Sequence, residues 1–371
     1  MKVDAILFSF LALAVCTVPL TALKHSGKIM SANSTASGIF MVQGSTSSTS
    51  GSSGSAAASS LSSAAQKNIT DRLKDALNKN ASEQPVDLEY FKILNLSTNK
   101  VEKISVKDYV RGVVAAEMPP DFHPEALKAQ AIASHSYALR QAEEQRKKPD
   151  PALMGADFSA DPQNWIGYVT EKQARERFGE KFDIYWSKIT QAADSVNRYI
   201  ITYEQQPILA AYHAISTGST EASENVWQQS LPYLTPVESE GDLLAPDYET
   251  VVKMTAQQVK TALTAKFTDI KLPADCKSWF SDIERSQSGY ILSAKVGNIT
   301  VHGKDIRSAL NLRSSNIKID CDGSSFTFTV CGYGHGVGMS QYGADYMARQ
   351  GATFEEILLH YYPDTTITQL G

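Results

Sequence analysis

The chain lacks the features that define several large protein classes. Its 371 residues include four cysteines, none in a CxxC pair or a His/Cys cluster, which excludes a zinc finger and a small disulfide-stapled domain. There is no basic surplus, since the formal net charge is −5, and this argues against nucleic acid as the main partner. The composition also excludes a collagen, a coiled-coil array and a multi-span membrane protein. What remains is a globular body with enough apolar residues for one large core or two modest ones.

One charge-free hydrophobic stretch, residues 5–23, stands near the start of the chain. Its nineteen residues would span about 28 Å as a helix, close to the hydrocarbon thickness of a bilayer. Lysines flank the stretch on both sides, so charge does not fix its orientation. We interpret residues 1–23 as a membrane anchor retained after export or as a signal segment that is cleaved. Both interpretations predict an exported body.

The next part of the chain, residues 24–85, has the composition of a flexible linker. Residues 31–65 carry no charged side chain and contain 14 serines, so they cannot bury enough apolar surface to offset chain entropy. Residues 66–80 are rich in helix formers but have a thin apolar stripe, which indicates at most a short helix. We therefore place the start of the folded body at residue 86.

The body begins with patterns of a β-hairpin and two helices. Residues 86–94 and 101–106 largely alternate apolar and polar side chains on either side of a turn, which predicts the hairpin. Residues 106–117 then switch to helical spacing and stop before a Pro-Pro pair. A second, alanine-rich helix is predicted over residues 125–146, after Pro124 in its first turn.

The rest of the body mixes short strands and helices irregularly. Strand patterns occur at residues 198–203, 208–214, 290–296 and 324–330. Near the C-terminus, Thr353 and Glu356 form the capping box of a short helix that ends at Tyr361-Tyr362-Pro363. This order predicts an α+β fold, with mixed helices and short strands around a groove.

Glu117 lies on the apolar stripe of its own helix, four residues after Val113 and seven after Val110. The spacing directs its carboxyl group inward or into a cleft, at the C-terminal end of the helix. Burial and the negative end of the helix dipole both disfavour the ionised form and so raise the pKa, as a general acid at neutral pH requires. A helix-end glutamate turned towards solvent fits the same spacing.

Two further stretches concentrate polar groups. Residues 332–344 contain alternate glycines together with His335, Ser340 and Gln341, and they lack the strand–loop–helix setting of a phosphate cradle. A substrate-facing wall and a tight structural turn both fit this segment. Residues 212–221, followed by Trp227 and Tyr233, place aromatic rings beside hydroxyls and a carboxylate, which suits a sugar platform. Those two aromatic residues fit a hydrophobic core equally well.

Four segments, in this order along the chain, resemble one known family. They are VRGVVAAEMP (110–119), ALKAQA (126–131), ENVW (224–227) and GHGVGMSQYGA (334–344). They resemble the stage II sporulation protein D family, which is related to amidase-enhancer proteins, and the likeness runs from about residue 86 to the C-terminus. A membrane anchor followed by an exported body also fits that family.

The resemblance implies a lytic transglycosylase that cleaves peptidoglycan glycan strands stripped of stem peptides, in cell-wall remodelling during sporulation engulfment. The family's catalytic acid falls on Glu117. It would protonate the oxygen between N-acetylmuramic acid and N-acetylglucosamine, then take the proton of the muramic acid C6 hydroxyl as that oxygen attacks C1. The product is a 1,6-anhydro sugar, so the second carboxylate of ordinary glycosidases is not needed.

Polar and aromatic side chains around this acid are expected to orient the strand or stabilise the oxocarbenium-like state. The candidate substrate-binding residues are Lys128, His135, Tyr137, His213, Ser216, Glu221, Trp227, Tyr233, His335, Ser340 and Gln341. No cofactor is expected. Some family members bind zinc through Cys and His after the second helix, but residues 155–168 contain neither, so we predict no metal.

Position 135 departs from the family pattern. The second helix has His135 where the family usually has arginine, so a basic group expected near the acid is replaced. Histidine can donate hydrogen bonds but carries a full charge only at lower pH. We expect activity to be reduced or differently tuned.

The cysteines allow one geometric prediction. If Asp322-Gly323 is a two-residue hairpin turn, Cys321 and Cys331 lie too far apart along the hairpin for a direct bridge. Cys276 can then pair with either.

Two other functions are compatible with the sequence: a non-catalytic glycan-binding enhancer of a cell-wall amidase, and a structural ring or scaffold component. The expected partners are peptidoglycan glycan strands, a cell-wall amidase, membrane proteins and, through the N-terminal helix, the plasma membrane. The expected location is the plasma membrane, as a single-pass protein with its body on the cell-wall side.

Overall fold

A computed structural model describes residues 89–371. The predicted membrane segment (1–23), the predicted linker (24–85) and the first residues of the predicted body (86–88) lie outside the described residues. Between residues 89 and 371, no helix is both long enough and apolar enough to cross a bilayer.

The described chain mixes helices with short strands, which confirms the α+β prediction. The strands are β1 (Tyr90–Asn95), β2 (Lys100–Ser105), β3 (Phe158–Ala160), β4 (Tyr199–Tyr203), β5 (Gln206–Pro207), β6 (Tyr212–His213), β7 (Glu249–Thr255), β8 (Phe280–Arg285), β9 (Ile291–Val296), β10 (Ile299–His302), β11 (Asn316–Cys321), β12 (Ser325–Cys331), β13 (Met339–Ser340) and β14 (Thr366–Gln369). The α-helices are α1 (Val106–Glu117), α2 (Pro124–Lys147), α3 (Glu171–Phe178), α4 (Phe182–Ser195), α5 (Ser223–Trp227), α6 (Ala256–Lys266), α7 (Gly303–Leu310), α8 (Gln341–Arg349) and α9 (Phe354–Tyr361).

The sheets have two or three strands each. Their strand orders are β2-β1-β3, β14-β4-β5, β10-β9-β8 and β11-β12-β7, with β6 and β13 as a separate parallel pair. The predicted hairpin is the antiparallel pair β1 and β2, in which Tyr90 lies opposite Ser105.

The two N-terminal helices form where their sequence patterns predict. Ser105 caps α1, since its hydroxyl accepts a hydrogen bond of 3.0 Å from the Asp108 backbone N–H. Helix α2 is buried along most of its length, because α1, α4, α8, α9 and strand β4 pack around it. Its many alanines suit a helix that is surrounded on nearly all sides. The predicted capping box of Thr353 and Glu356 is confirmed at the start of α9.

Two separate hydrophobic clusters divide the described chain. One draws on residues 91–234 and 337–362, and the other on residues 259–330. We call residues 89–248 and 332–371 the main lobe and residues 249–331 the inserted lobe. Helix α1 and the glycine-rich segment 332–344 both belong to the main lobe.

The strand predicted over residues 208–214 is largely wrong. Only Tyr212 and His213 form a strand, and residues 208–211 follow an irregular path through the core. The reason is non-local. The Ala211 carbonyl accepts hydrogen bonds from the Met339 N–H at 3.0 Å and from the Tyr362 hydroxyl at 2.7 Å, so tertiary partners replace a continuous strand ladder.

The hairpin of β11 and β12 turns one residue later than predicted. The Asp322 N–H donates to the Ser325 carbonyl at 3.1 Å, which centres the turn on residues 323–324. Cys321 lies opposite Phe326 and Cys331 at the far end of the hairpin, which confirms that these two cysteines are not bridged. The Cys276 sulfur lies 3.1 Å from that of Cys321.

Candidate functional site

Glu117 is the last residue of α1, and its side chain is half-buried. Burial raises the pKa of the phenols of Tyr109 and Tyr212, and the nearby Glu117 carboxylate raises both further. Neutral, buried hydroxyl groups therefore lie beside this carboxyl group. The raised pKa expected for Glu117 itself stays a prediction.

Strand β6 links the surroundings of Glu117 to the glycine-rich segment. Tyr212 and His213 form this strand and run parallel to Met339 and Ser340 of β13. Because side chains alternate along a strand, Tyr212 and His213 point to opposite sides of the pair. The Glu117 carboxylate acts on the Tyr212 phenol, which places Glu117 on the Tyr212 side of the pair and His213 on the other side.

A chain of buried hydrogen bonds runs from Gln341 to Ser134, which lies next to Tyr212. The Gln341 amide donates to the Gln130 carbonyl oxygen at 3.3 Å, and the Gln130 amide donates to the Ser134 hydroxyl at 3.0 Å. The Ser134 side chain lies close to the Tyr212 phenol. Gln341 thus reaches the neighbourhood of Glu117 through α2.

At Gly338 the glycine-rich segment is a tight structural turn, as one of its two interpretations predicted. Its φ is +71°, and a Cβ atom there would lie 2.0 Å from the Ala211 carbonyl oxygen. Only glycine combines this backbone conformation with such a close approach. The segment is therefore pressed against the chain that leads into β6.

Two histidines and a tryptophan pack together on the other side of β6. The His213 Nδ1 lies 3.1 Å from the Val337 carbonyl oxygen, and the Val337 N–H donates to the His335 Nδ1, also at 3.1 Å. The His335 ring centroid is 5.8 Å from that of His213 and 5.2 Å from that of Trp227. Burial lowers the pKa of His213 to about 4 and that of His335 well below its ordinary value.

Asp242 has a buried carboxylate that accepts hydrogen bonds from two predicted site residues. Its oxygens accept hydrogen bonds from the Ser216 backbone N–H at 2.9 Å and from the Ser340 hydroxyl at 2.6 Å. Ser216 and Ser340 have no solvent exposure. In this arrangement they hold the glycine-rich segment in place and offer no surface to a ligand.

Glu221 lies at the boundary between the lobes and is fully buried. Its carboxylate accepts hydrogen bonds from the Ala222 N–H at 2.8 Å, from the Asn225 amide at 2.7 Å and from the Ser286 hydroxyl of the inserted lobe. Glu221 and Asn225 line a narrow crevice between the two lobes.

Comparisons with known proteins point to one family. The family profile described as Stage II sporulation protein matches residues 95–203. Stage II sporulation protein D of Bacillus subtilis (strain 168) is 35% identical over 286 residues, which cover 77% of this chain and 80% of that protein. This chain belongs to the stage II sporulation protein D family.

Two further relatives agree with this assignment. Stage II sporulation protein D of Bacillus amyloliquefaciens is 33% identical over 77% of this chain and 80% of its own length. The amidase enhancer of Bacillus subtilis (strain 168) is 27% identical over 70% of this chain and 40% of its own length. In this stage II sporulation protein D family member, the part that matches the family profile contains α1 and α2.

Lys128 and His135 lie seven residues apart, on one face of α2. The Lys128 ammonium bonds the Glu125 carboxylate at 2.7 Å and lies over the Phe354 ring. His135 is buried beside the Tyr199 backbone, and burial lowers its pKa to about 4. His135 is therefore neutral at physiological pH and does not supply the positive charge that the resemblance implied at this position.

Tyr137 and Tyr233 both lie in the main hydrophobic cluster. Burial raises the pKa of Tyr137, which lies close to Tyr109. The Tyr233 hydroxyl accepts a hydrogen bond from the Leu209 N–H at 3.2 Å. Direct contact of either side chain with a glycan would require the core to open.

Sequence reasoning missed three residues of this stage II sporulation protein D site: Tyr212, Gln130 and Asp242. Tyr212 could have been found because it precedes the candidate residue His213 on the same strand. Gln130 could have been found because it lies in the ALKAQA motif. No local signal marked Asp242, whose partners lie 26 and 98 residues away.

Between residues 89 and 371, no three His, Cys, Asp or Glu side chains are grouped to hold a metal ion. The expected lack of a metal or cofactor stays a prediction.

The buried histidines predict a loss of stability in weak acid. His135, His213 and His335 all have a lowered pKa in the folded protein, whereas an unfolded histidine titrates near 6.5. The unfolded chain therefore binds more protons as the pH falls from about 6.5 towards 4, and the free energy of unfolding falls by up to about 1.4 kcal/mol per pH unit for each histidine. Urea unfolding at pH 7.5 and pH 5 measures this change. Equal stability at the two pH values would contradict the prediction.

Proposed function

We propose that this protein is a lytic transglycosylase that cleaves the bond between N-acetylmuramic acid and N-acetylglucosamine in peptidoglycan strands stripped of stem peptides. The observation that carries the proposal is the position of Glu117. It ends α1 half-buried, beside Tyr212, and the backbone of Tyr212 pairs with the glycine-rich segment. A partly desolvated carboxyl group next to a rigid wall suits general acid–base catalysis.

In the proposed reaction Glu117 acts twice. As an acid it donates its proton to the glycosidic oxygen while the C1–O bond breaks. As a carboxylate it then accepts the proton of the muramic acid C6 hydroxyl while that oxygen bonds to C1. Glu117 returns to its protonated form, no water is consumed, and the product carries a 1,6-anhydro ring.

The buried side chains around Glu117 have a supporting role in this proposal. The hydrogen bonds from Gln341 through Gln130 fix Ser134, which lies next to the Tyr212 phenol and so limits where that phenol can lie near Glu117. The raised pKa of Tyr212 keeps its hydroxyl neutral, so it remains a hydrogen-bond donor across the working pH range. These residues are positioning groups.

We further propose that the body is exported and stays at the plasma membrane through the N-terminal segment, on the cell-wall side. There it would act in sporulation engulfment, after a cell-wall amidase has removed the stem peptides. The amidase-enhancer relative supports a link to such an amidase.

Incubation of the full chain with purified, peptide-free glycan strands tests the catalytic proposal. Mass analysis is expected to show shorter strands that end in anhydro-muramic acid. Products that carry only reducing ends would identify a hydrolase instead.

A second candidate function is a glycan-binding enhancer of an amidase, favoured by the relative that bears that name. In that case the full chain binds strands without shortening them, and it accelerates peptide release by a partner amidase. Stimulation that survives Glu117→Gln, together with no strand cleavage by the unmodified chain, would favour this function.

A further inference from the structure

The crevice between the lobes has two cationic side chains of the inserted lobe in its wall. Lys304 and Arg307 of α7 line it, opposite Glu221 and His335 of the main lobe. The enclosed volume is about 30 Å³, which is room for a small group and not for a sugar ring.

The Arg307 guanidinium lines this crevice and carries a positive charge. Within residues 89–371, no carboxylate forms an ion pair with it. Its Nε donates to the Leu312 carbonyl at 3.2 Å, and the groups that act on its charge are the phenols of Tyr333 and Tyr290. Arg307 is half-buried, and a partly desolvated cation is costly unless an anion or several acceptors compensate its charge. The site thus lacks one negative group.

The N-terminus of α7 opens into the same crevice. His302, the N-cap residue, makes no side-chain capping bond, and Gly303 and Lys304 follow it in the crevice wall. Free backbone N–H groups and the positive end of the helix dipole both favour an anion here.

Two buried polar atoms in the crevice wall lack a partner within the described chain, and this indicates a ligand independently of the charges. The Tyr290 hydroxyl and the His335 Nε2 have no hydrogen-bond partner of good geometry among residues 89–371. Tyr290 is only 2% exposed. Glu221, by contrast, is already bonded by three donors, so its charge needs no further partner.

We propose that this crevice binds the free lactyl carboxylate of muramic acid, a group that a strand displays only after its stem peptide has been removed. A carboxylate is small, planar and negative, which matches a guanidinium, an ammonium and a helix N-terminus. A stem peptide converts the same group into a neutral amide and adds bulk. The inference rests on the proposed glycan substrate, and it assigns selection of peptide-free strands to the inserted lobe.

Binding of two matched glycan strands to the full-length protein tests the proposal. One is the peptide-free glycan strand, and the other is the same strand after its lactyl carboxylates have been converted to methylamides. We expect equilibrium binding to favour the carboxylate strand by at least about tenfold, the size of one charge-assisted hydrogen bond. Lys304→Gln, at an exposed position that should not disturb folding, and Arg307→Gln should each reduce this preference several-fold. Lys318→Gln, at an exposed lysine of β11, is the control and should retain it.

The outcomes separate this inference from the catalytic proposal. Equal binding of the two strands by the unmodified chain overturns the carboxylate site, whether or not strands are cleaved. A retained preference without cleavage supports the carboxylate site and removes the catalytic function. Binding of neither strand overturns both.

The thiol pair in the inserted lobe carries a second, independent inference. The sulfurs of Cys276 and Cys321 lie 3.1 Å apart, 45 residues apart in sequence, whereas Cys331 lies near Glu249. We infer that Cys276 and Cys321 form a disulfide when the chain meets a low-molecular-weight disulfide as oxidant. The two thiols lose two protons and two electrons as their S–S bond forms, and the oxidant's S–S bond breaks to give two thiols. The bond would join the segment before β8 to the end of β11.

Peptide mapping after treatment of the full chain with oxidised glutathione tests this inference. A second protease that cuts after Phe326 separates Cys321 from Cys331, which otherwise share one tryptic peptide. We expect the Cys276 peptide to be linked to the Cys321 peptide, the Tm to rise by several degrees, and Cys331→Ser to leave both results unchanged. A Cys276 that still reacts with an alkylating reagent, or that is linked to Cys331, overturns the inference.

Discussion

Glu117→Gln is expected to lower the turnover of peptide-free glycan strands by about a thousandfold or more. Glutamine has the same size and shape, but it can neither donate a proton to the glycosidic oxygen nor accept one from the C6 hydroxyl. Since the side chain is only half-buried, the variant should fold with residue 117 still near the phenols of Tyr109 and Tyr212. The expected signature is a loss of kcat with little change in the Kd for strands.

Glu176→Gln is the matched control for this result. Glu176 is an exposed glutamate on α3, and the same chemical change there should leave kcat within about twofold, as for a surface substitution. A Glu117→Gln variant that keeps a tenth or more of the activity would contradict the role assigned to Glu117.

Gly338→Ala is expected to lower the free energy of unfolding by about 4 kcal/mol or more. A left-handed backbone costs a non-glycine residue about 1–2 kcal/mol, and the new Cβ would lie 2.0 Å from the Ala211 carbonyl oxygen. That oxygen is held by the Met339 N–H and the Tyr362 hydroxyl, so it cannot move aside without breaking two hydrogen bonds. Because total stability is typically about 5–15 kcal/mol, we expect a large fall in the urea midpoint and in strand cleavage.

Gly351→Ala separates backbone strain from the steric clash. Gly351 also has a positive φ, of +100°, but a Cβ there meets no atom within 4 Å. We expect this variant to lose only the backbone term of about 1–2 kcal/mol. If the two alanine variants unfold at the same urea concentration, the requirement for glycine at position 338 does not come from its close packing against Ala211.

The elements that could be predicted from the sequence are those whose determinants are local. Helix α1 follows from apolar spacing and the Pro-Pro stop, α2 from its alanines and Pro124, and α9 from the capping box of Thr353 and Glu356. The same apolar spacing selected Glu117. Each of these signals lies within a few residues of the element it defines.

The parts that escaped prediction depend on partners distant in sequence. The irregular path before β6 follows from bonds between Ala211 and residues near the C-terminus, and Asp242 acts through Ser216 and Ser340. The neutral state of His135 follows from burial on a helix surrounded by other elements, which its spacing alone did not indicate. The separate core of residues 259–330 is likewise a property of packing between strands and helices.

Cleavage of peptide-free strands in water enriched in oxygen-18 tests the central claim most directly. If Glu117 lets the C6 hydroxyl attack C1, the new ends contain no solvent oxygen, and their mass is the same in heavy and in ordinary water. A heavy oxygen at the newly formed C1 end would show that water is the nucleophile and would contradict the transglycosylase mechanism.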